Sequence, residues 1–467
     1  MAGLNRARDI YRSVSQFHEN ENLVAWLRDR RWVIWLTAAR RRKILLVGSV
    51  TAGIVTVFHH HAPWRQYLQP DTWLAPALAV ALLFLMLKFI HAGAARFSDL
   101  PGPIRRRPQI AFHTLFWSMV IVTWLTPVQA GTWRTVIALM AISFPFIIWR
   151  CGYMLISAKR GRVAGTGLGD HLIYIWPIWG GTNTPIGKGA DYLSQCEART
   201  ADAYARAVLS GIKLMILARL WGLARQFMAA FVYANPKSFF TPLLGGFTLT
   251  IPRAQSLVTG QDSDSVLISW VSLYMDLIWE TLEVAEDGHV WVGALRLFGF
   301  NVFRNTYKPL LARSVIDFWN RWHYYFKEML VEFFFLPTYA RHFQKAPKLR
   351  IFAAIFASAF VGNMYHHLLK AKKSLVGGAW LDLWLNLNPR LVYCLLLALG
   401  LYLSMLREQH RRGKGAEKGH SPTALSNLAK IAWVWTFYSL VHIWNLKGTM
   451  TVESRTHFFL SLFGLSF

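Results

Sequence analysis

The chain has 467 residues, of which 54% are hydrophobic and 15% aromatic, too apolar a composition for a soluble domain with a wet surface. Its 51 Lys and Arg outnumber 24 Asp and Glu, which gives a formal net charge of +27. Such an excess is typical of nucleic-acid binding, of anionic-lipid binding, or of the positive-inside bias of membrane loops. Because the charges fall in short clusters between apolar runs, we favour the third interpretation and expect no nucleic-acid partner.

Apolar segments recur along the whole chain. Crossing a bilayer takes about twenty mostly apolar residues, and by that measure we count roughly ten or eleven spans or half-spans. The sequence therefore predicts an all-α, polytopic membrane protein. The clearest segments lie near 44–58, 73–92, 111–128, 136–158, 266–278, 351–361, 391–406 and 431–444.

The N-terminal segment, residues 1–43, carries ten Lys or Arg and four acids, whereas the loop at 59–71 carries one Arg and one Asp. Basic loops stay on the cytoplasmic side, so the N-terminus is predicted to be cytoplasmic. No cleavable signal peptide is visible, and Trp and Leu interleaved with Arg in 26–35 predict a helix in the headgroup layer. Residues 44–160 then form the N-terminal transmembrane helices.

Several motifs are weighed and set aside. The stretch 161–189 is rich in Gly and Pro and predicts a re-entrant loop, but its TNTPIGKG is no phosphate loop, because Lys188 is followed by Gly189. The histidines at 59–61 are interpreted as an interfacial loop rather than a metal site. Three dispersed cysteines argue against a disulfide framework or zinc cluster, so no metal is expected. Residues 407–421 form a basic linker.

Two groups of polar residues stand within apolar, aromatic surroundings. An ionisable side chain at membrane depth costs about 2.5–3.5 kcal/mol, so such residues usually line a pathway or a site. An interfacial position, where water satisfies them, is the alternative, and composition alone leaves it open. A histidine in a dry tunnel could take a proton from a hydroxyl and pass it to a departing thiolate. The groups are Asp317, Asn320, Arg321, His323, Lys327 and Glu328, and then Asn363, His366 and His367.

Two runs near the middle of the chain carry a resemblance. Residues 293–300 (GALRLFGF) and 305–323 (NTYKPLLARSVIDFWNRWH) resemble the membrane-bound O-acyltransferase family, nearest its bacterial branch with alginate O-acetylase and teichoic acid D-alanyl transfer. Residues 210–220 (SGIKLMILARL) resemble a further family motif, and the likeness spans about 165–445. The chain is a divergent member, since 279–289 (WETLEVAEDGH) replaces the family's FDFSGYSD.

The resemblance implies a helical bundle with re-entrant segments and a central tunnel, with a catalytic core at 161–446 and an amphipathic tail at 447–467. It implies His366 as the catalytic base and His323 as its partner. The tunnel wall is expected to provide substrate contacts from Trp319, Asn320, Trp322 and Tyr365.

The function implied is acyl transfer, with acetyl as the expected group, to a hydroxyl of a cell-envelope glycan or related acceptor. The donor is a cytoplasmic thioester, acyl-CoA or acyl carrier protein, with no permanently bound cofactor, and the location is the bacterial inner membrane. Open alternatives are a longer acyl chain, a lipid, peptide or small-molecule acceptor, and a non-catalytic transporter or scaffold with the same fold. A requirement for a periplasmic partner protein also stays open.

Overall fold

The structure, a computed structural model, describes residues 15–61, 73–161, 167–173, 184–260, 265–413, 423–448 and 450–465. In this part of the chain every regular element is a helix, and the sole β pairing is an isolated bridge between Glu197 and Phe300. An all-helical fold is thus confirmed. The predicted re-entrant loop, the 59–71 loop and the basic linker each lie partly outside the described residues.

The α-helices are α1 Glu21–Arg28, α2 Arg31–Trp35, α3 Ala38–His61, α4 Leu74–Ala95, α5 Gly102–Arg106, α6 Pro108–Leu125, α7 Thr132–Ser143, α8 Ile148–Lys159, α9 Leu168–Ile173, α10 Gly189–Gln195, α11 Ala201–Phe231, α12 Ala254–Val258, α13 Val266–Leu297, α14 Val315–Trp322, α15 Tyr324–Leu330, α16 Leu336–Arg341, α17 Pro347–Ile355, α18 Asn363–Lys370, α19 Lys372–Gly377, α20 Trp380–Gly413, α21 Ala424–His442 and α22 Val452–Ser461. Two π-helical turns, Val331–Phe335 and Phe356–Gly362, interrupt the helical run. Short 3₁₀ turns lie at Phe17–Glu19, Phe97–Asp99, Val128–Ala130, Phe144–Phe146, Pro185–Lys188, Thr241–Leu244, Pro309–Leu311 and Ile443–Asn445.

Six helical segments of the described chain are long and apolar enough to cross a membrane. A bent pair, Thr132–Phe146 and Ile148–Lys159, meets at 59° and could form a seventh span. Pro145 stands at that bend and cannot donate a backbone hydrogen bond to the preceding turn. The protein is therefore a multi-pass helical membrane protein by length and composition. The six are Ala38–His59, Leu74–Ala95, Pro108–Leu125, Ala201–Phe231, Pro347–Lys370 and Trp380–His410.

The described residues hold six or seven candidate spans, fewer than the roughly ten or eleven spans or half-spans predicted, and three helices show the difference. The apolar start of α13 was predicted as a span. The helix continues through acidic residues such as Asp276, Glu280 and Glu283, and it is not among the helices apolar enough to cross a membrane. The segment near 431–444 lies mostly in α21, which is also not among the six. Conversely, α11 qualifies although only its motif was singled out, because its apolar run extends through 31 residues.

The chain folds into two compact units. The first comprises described residues of Met1–Met119, Thr126–Arg219 and Glu286–Asn305, and the second those of Val120–Leu125, Leu220–Ala285 and Thr306–Phe467.

In the first unit, the N-terminal helices pack on the start of α11. Val24, Leu27 and Val33 are buried there against Tyr204 and Val208. Their opposite face leaves three Trp side chains about half exposed, which suits the predicted place in the headgroup layer. These are Trp26, Trp32 and Trp35.

Two arginines of the basic cluster at 40–43 make specific contacts within the first unit. Arg41 is buried, stacks on Tyr204 and donates to the carbonyl oxygen of Ala198. Arg42 pairs with the buried carboxylate of Glu197. The cluster therefore holds α3 to the segment before α11, in addition to any effect on topology.

The second unit is built around two hydrophobic clusters. One places Phe318 of α14, Ile355 of α17 and Leu397 of α20 in a common core with Tyr438 of α21. The other packs α22, through Phe458, on residues of α12 and α13. The residues of the predicted tail are thus part of this unit's core. The polar residues singled out in the sequence all belong to this second unit.

Candidate functional site

His323 lies at the junction between α14 and α15, where the backbone leaves helical geometry. Helix α14 begins because the Ser314 hydroxyl accepts a hydrogen bond from the amide of Asp317, 3.1 Å away. Its far end is held by Thr306, whose hydroxyl donates to the carbonyl oxygen of Trp322 at 2.8 Å. The junction is thus fixed on the side from which His323 emerges.

Aromatic contacts with α21 hold α14 in place. The ring of Phe318 stacks on Tyr438 with centroids 3.8 Å apart, and the Tyr438 hydroxyl donates to the carbonyl oxygen of Val315 at 2.8 Å. Trp435 donates from its indole nitrogen to the carbonyl oxygen of Leu310, also at 2.8 Å. Buried Tyr and Trp usually need a hydrogen-bond partner for their polar ends, and Tyr438 and Trp435 both have one.

His366 and His367 lie on α18, which directly follows the π-helical turn Phe356–Gly362. This turn packs against the other π turn, Val331–Phe335. At Gly362 the approach is so close that a Cβ atom would lie 2.8 Å from the ring of Phe334. Turns of this kind occur often near functional sites, and here both border the polar residues.

Phe326 is the common neighbour of the two predicted catalytic histidines. Its ring centroid lies 4.5 Å from that of His366 and 6.5 Å from that of His323. These two distances keep the imidazole centroids well within the about 15 Å beyond which shared catalysis would be excluded. Phe326 also meets Trp319 edge-on at 6.3 Å. The structure therefore brings together His323, His366 and Trp319 around one aromatic ring.

The adjacent histidines of α18 have different surroundings. His367 lies 2.6 Å from Arg390, measured from the imidazole Nδ1 to a guanidinium nitrogen. Arginine is always protonated and can only donate, so this Nδ1 must accept and the proton of a neutral ring must sit on Nε2. The imidazole of His366 is buried and makes no hydrogen bond to a described residue. His366 is therefore the better placed of the two to accept a proton from a substrate.

The other predicted contact residues occupy mixed positions. Trp322 stacks on Phe318 at 4.9 Å and meets His323 edge-on at 5.6 Å, so it supports the junction. Asn320 is exposed and accepts a hydrogen bond from Lys327 at 3.3 Å. Tyr365 is half-buried beside His366. All of them lie in the second unit, on or next to the helices that carry the histidines.

Some of the polar residues serve local structure instead. Asp317 and Arg321 form an ion pair of 2.7 Å one helical turn apart, and Lys327 lies 3.5 Å from the carboxylate of Glu328. Such partly exposed pairs contribute about 0–1 kcal/mol. They explain four charges of this segment without assigning them a catalytic role.

Sequence reasoning missed three residues near the histidines. Phe326 looked like one aromatic residue among many, and nothing in its spacing marked it. Lys370 follows His366 by four residues, a spacing that places both on one helical face and could have identified it. Arg390 lies in an apolar run of α20, where a lone cation is itself a signal.

Metal ligation finds no support in the described residues, where no three His, Cys, Asp or Glu side chains gather closely enough to hold an ion. The cysteines Cys151, Cys196 and Cys394 are all free.

Comparison with models of known protein families and with curated proteins gives no match. The functional argument therefore rests on the residues of this chain.

Proposed function

We propose that this multi-pass membrane protein is an O-acyltransferase of the membrane-bound O-acyltransferase family. The observation that carries the proposal is the buried imidazole of His366, which has no hydrogen bond to a described residue and lies against Phe326 close to His323. A general base in a dry site needs this combination of a free nitrogen and exclusion of bulk water. The motifs at 210–220, 293–300 and 305–323 support the family.

The proposed reaction requires little from the protein beyond proton transfer. His366 takes the proton from the acceptor hydroxyl as its oxygen attacks the thioester carbonyl. The carbon–sulfur bond breaks, an ester forms, and the proton passes from the imidazole to the departing thiolate, which leaves as the free thiol. No covalent intermediate is needed because the donor is already activated. His323 supports the base or the developing oxyanion.

The donor is a cytoplasmic thioester, coenzyme A or an acyl carrier protein, and the expected acyl group is acetyl. The acceptor hydroxyl belongs to a cell-envelope glycan or related molecule that enters from the opposite side of a bacterial inner membrane. Trp319, Asn320, Trp322 and Tyr365 are proposed to line the path to the histidines. The basic clusters predicted on the cytoplasmic side favour entry of an anionic donor there.

The first test replaces His366 by Ala and by Gln in protein purified into nanodiscs. With acetyl coenzyme A and a cell-envelope glycan fraction, thiol release and ester formation should both fall by about 10²–10⁴-fold, because a positioned base contributes that much. Thermal unfolding should change little in the Gln variant.

His367→Gln is the matched control and should lose less activity, since Arg390 already occupies its Nδ1. A larger loss at His367 than at His366 would move the catalytic base by one residue. Wild-type protein that releases no thiol from acetyl or longer-chain thioesters would favour the transporter or scaffold alternative.

A further inference from the structure

Helix α18 presents a stripe of polar side chains on one face. Asn363, His366, His367 and Lys370 are spaced by three and four residues, so they fall on the same side of the helix. Side chains four residues apart lie ~5–6 Å from each other at their Cβ atoms. Lys370 therefore lies about one helical turn beyond His366 on the same face, and it is exposed.

A second cation is held close to this stripe. Arg390 of α20 is fixed by its hydrogen bond to His367, and it lies within electrostatic range of Lys370. Lys370 in turn lies within electrostatic range of both His323 and His366. Two positive charges thus lie close to His366, and one of them, Lys370, also lies close to His323.

Neither cation has an anionic partner in the described part of the chain. No described carboxylate lies within ion-pair distance of Lys370 or Arg390. The nearby acids Glu280 and Glu283 face Lys447 instead, at 4.0 and 3.6 Å.

Elsewhere in the same unit, cations have partners of two kinds, since some pair with carboxylates whereas the buried Arg455 donates to three backbone carbonyl oxygens. Arg253 pairs with Asp276 at 2.5 Å and Arg321 with Asp317 at 2.7 Å. A cation in an apolar span without an anionic partner usually lines a substrate pathway or a site, and Arg390 and Lys370 both lie close to the histidines of α18.

We propose that Lys370 and Arg390 form an anion-binding subsite for the acyl acceptor, which would then be a hydroxyl compound carrying a carboxylate or phosphate close to the hydroxyl that is acylated. This inference rests on the proposed acyltransferase function.

The anion belongs to the acceptor rather than to coenzyme A. The pantetheine arm holds the coenzyme's phosphates far from the thioester carbonyl, whereas Lys370 is four residues, about 6 Å of helical rise, from His366 along α18. An anion bound at Lys370 must therefore lie close to the reacting atoms. A carboxylate at the end of the transferred acyl group could also supply the anion. The test excludes this source because its donor carries an uncharged acetyl group.

The experiment compares wild type, Lys370→Gln and Lys373→Gln in nanodiscs. Lys373 is an exposed lysine of α19 and serves as the control. With acetyl coenzyme A as donor, the acceptors are a glucuronate oligosaccharide against a glucose oligosaccharide, and glycerol phosphate against glycerol. The first pair probes carboxylate and the second probes phosphate.

Lys370→Gln should raise the KM for the anionic member of the preferred pair about tenfold to a hundredfold, the usual effect of losing a charged hydrogen bond. The KM for the neutral member and all values for Lys373→Gln should not change. Equal losses for charged and neutral acceptors, no loss at all, or a wild-type preference for neutral acceptors would overturn the subsite.

Equilibrium binding of the labelled acceptors, without donor, separates this inference from the function on which it rests. Charge-dependent binding that Lys370→Gln abolishes, in a protein that transfers no acyl group, keeps the anion subsite and refutes the acyltransferase. Acyl transfer that does not depend on the charge of the acceptor would support the acyltransferase and refute the anion subsite.

Discussion

At the residue scale, Asp276 shows how a carboxylate is kept within an apolar unit. It is 1% exposed, and its two oxygens accept hydrogen bonds from the Tyr233 hydroxyl and the amide of Ala254, both at 3.0 Å. Arg253 completes the set through an ion pair and stacks over Tyr233 and Trp279. A fully satisfied network of this kind fixes one arrangement of α12 against α13.

Asp276→Asn should therefore destabilise the protein markedly. The amide keeps the shape but loses the charge, which leaves Arg253 without its counter-ion. Because the Arg253 side chain is 36% exposed, the cost should stay below the about 3–5 kcal/mol of breaking a fully buried pair. Thermal unfolding in detergent measures the change. Asp202→Asn is the matched control, because the pair of Asp202 with Arg206 is exposed to solvent and contributes little to stability. Equal shifts in the two variants would contradict this account.

Single residues were predictable from the sequence where their chemistry was conspicuous. His323 and His366 stood out as polar residues in aromatic, apolar segments, and the fold brings them to one ring. The role of Arg390 was not predictable in this way, because it arises from a contact with His367, which lies 23 residues away in the sequence on another helix. Such a pairing depends on how α18 packs on α20, which no local pattern encodes.

At the element scale, α11 and α13 cross at two glycines. A Cβ atom at Gly211 would lie 2.9 Å from the carbonyl oxygen of Gly293 and 2.9 Å from the amide nitrogen of Leu297. Small residues let helix backbones approach in this way. Within a membrane the hydrophobic effect does not drive helices together, so close van der Waals packing stabilises their association instead. The glycines of the 210–220 and 293–300 runs thus have a packing role of their own.

Gly211→Ala should destabilise the first unit, because the methyl group meets backbone atoms that cannot move aside. Overpacking of this kind costs about 1–3 kcal/mol. The measurement is thermal unfolding in nanodiscs. Gly48→Ala is the control, since a Cβ there meets nothing within 4 Å and alanine favours a helix. If the Gly211 variant unfolds at the wild-type temperature, the close crossing is not present in solution.

Helices were predictable from apolar periodicity, but their interruptions were not. The π turns Val331–Phe335 and Phe356–Gly362 are mostly apolar and contain no Pro, so the sequence of each is typical of ordinary helix. The extent of α13 was also missed, because the predicted span ended near residue 278, before the acids Glu280 and Glu283. In the structure the helix continues through these acids, and Lys447 meets both of them.

At the scale of the whole molecule, charge was expected to set the orientation in the membrane. The structure shows that Arg41 and Arg42 also make intramolecular contacts, so they are not free headgroup ligands. Arg40 is exposed but donates to the carbonyl oxygen of Trp35 and lies over its ring, whereas Arg31 is exposed and remains available for that purpose. The net charge therefore overstates the number of cations that are free to bind lipid headgroups, and the orientation in the membrane has to be measured.

Cysteine labelling tests the predicted cytoplasmic N-terminus. In a Cys196→Ser background, which removes the one native cysteine that is not buried, Gln69→Cys should react with an impermeant maleimide on intact bacterial spheroplasts. Arg8→Cys should react only after lysis. Reaction of both from the same side would refute the topology.

The π turn Phe356–Gly362 has a consequence for helical phase. Each residue advances an α-helix by about 100°, so one extra residue in a turn rotates everything after it by that angle relative to an uninterrupted helix. The direction of His366 and Lys370 therefore depends on the length of the segment before them as well as on their identity. A one-residue deletion there would keep the hydropathy and every polar side chain, yet swing the whole stripe of α18 away from Phe326 together.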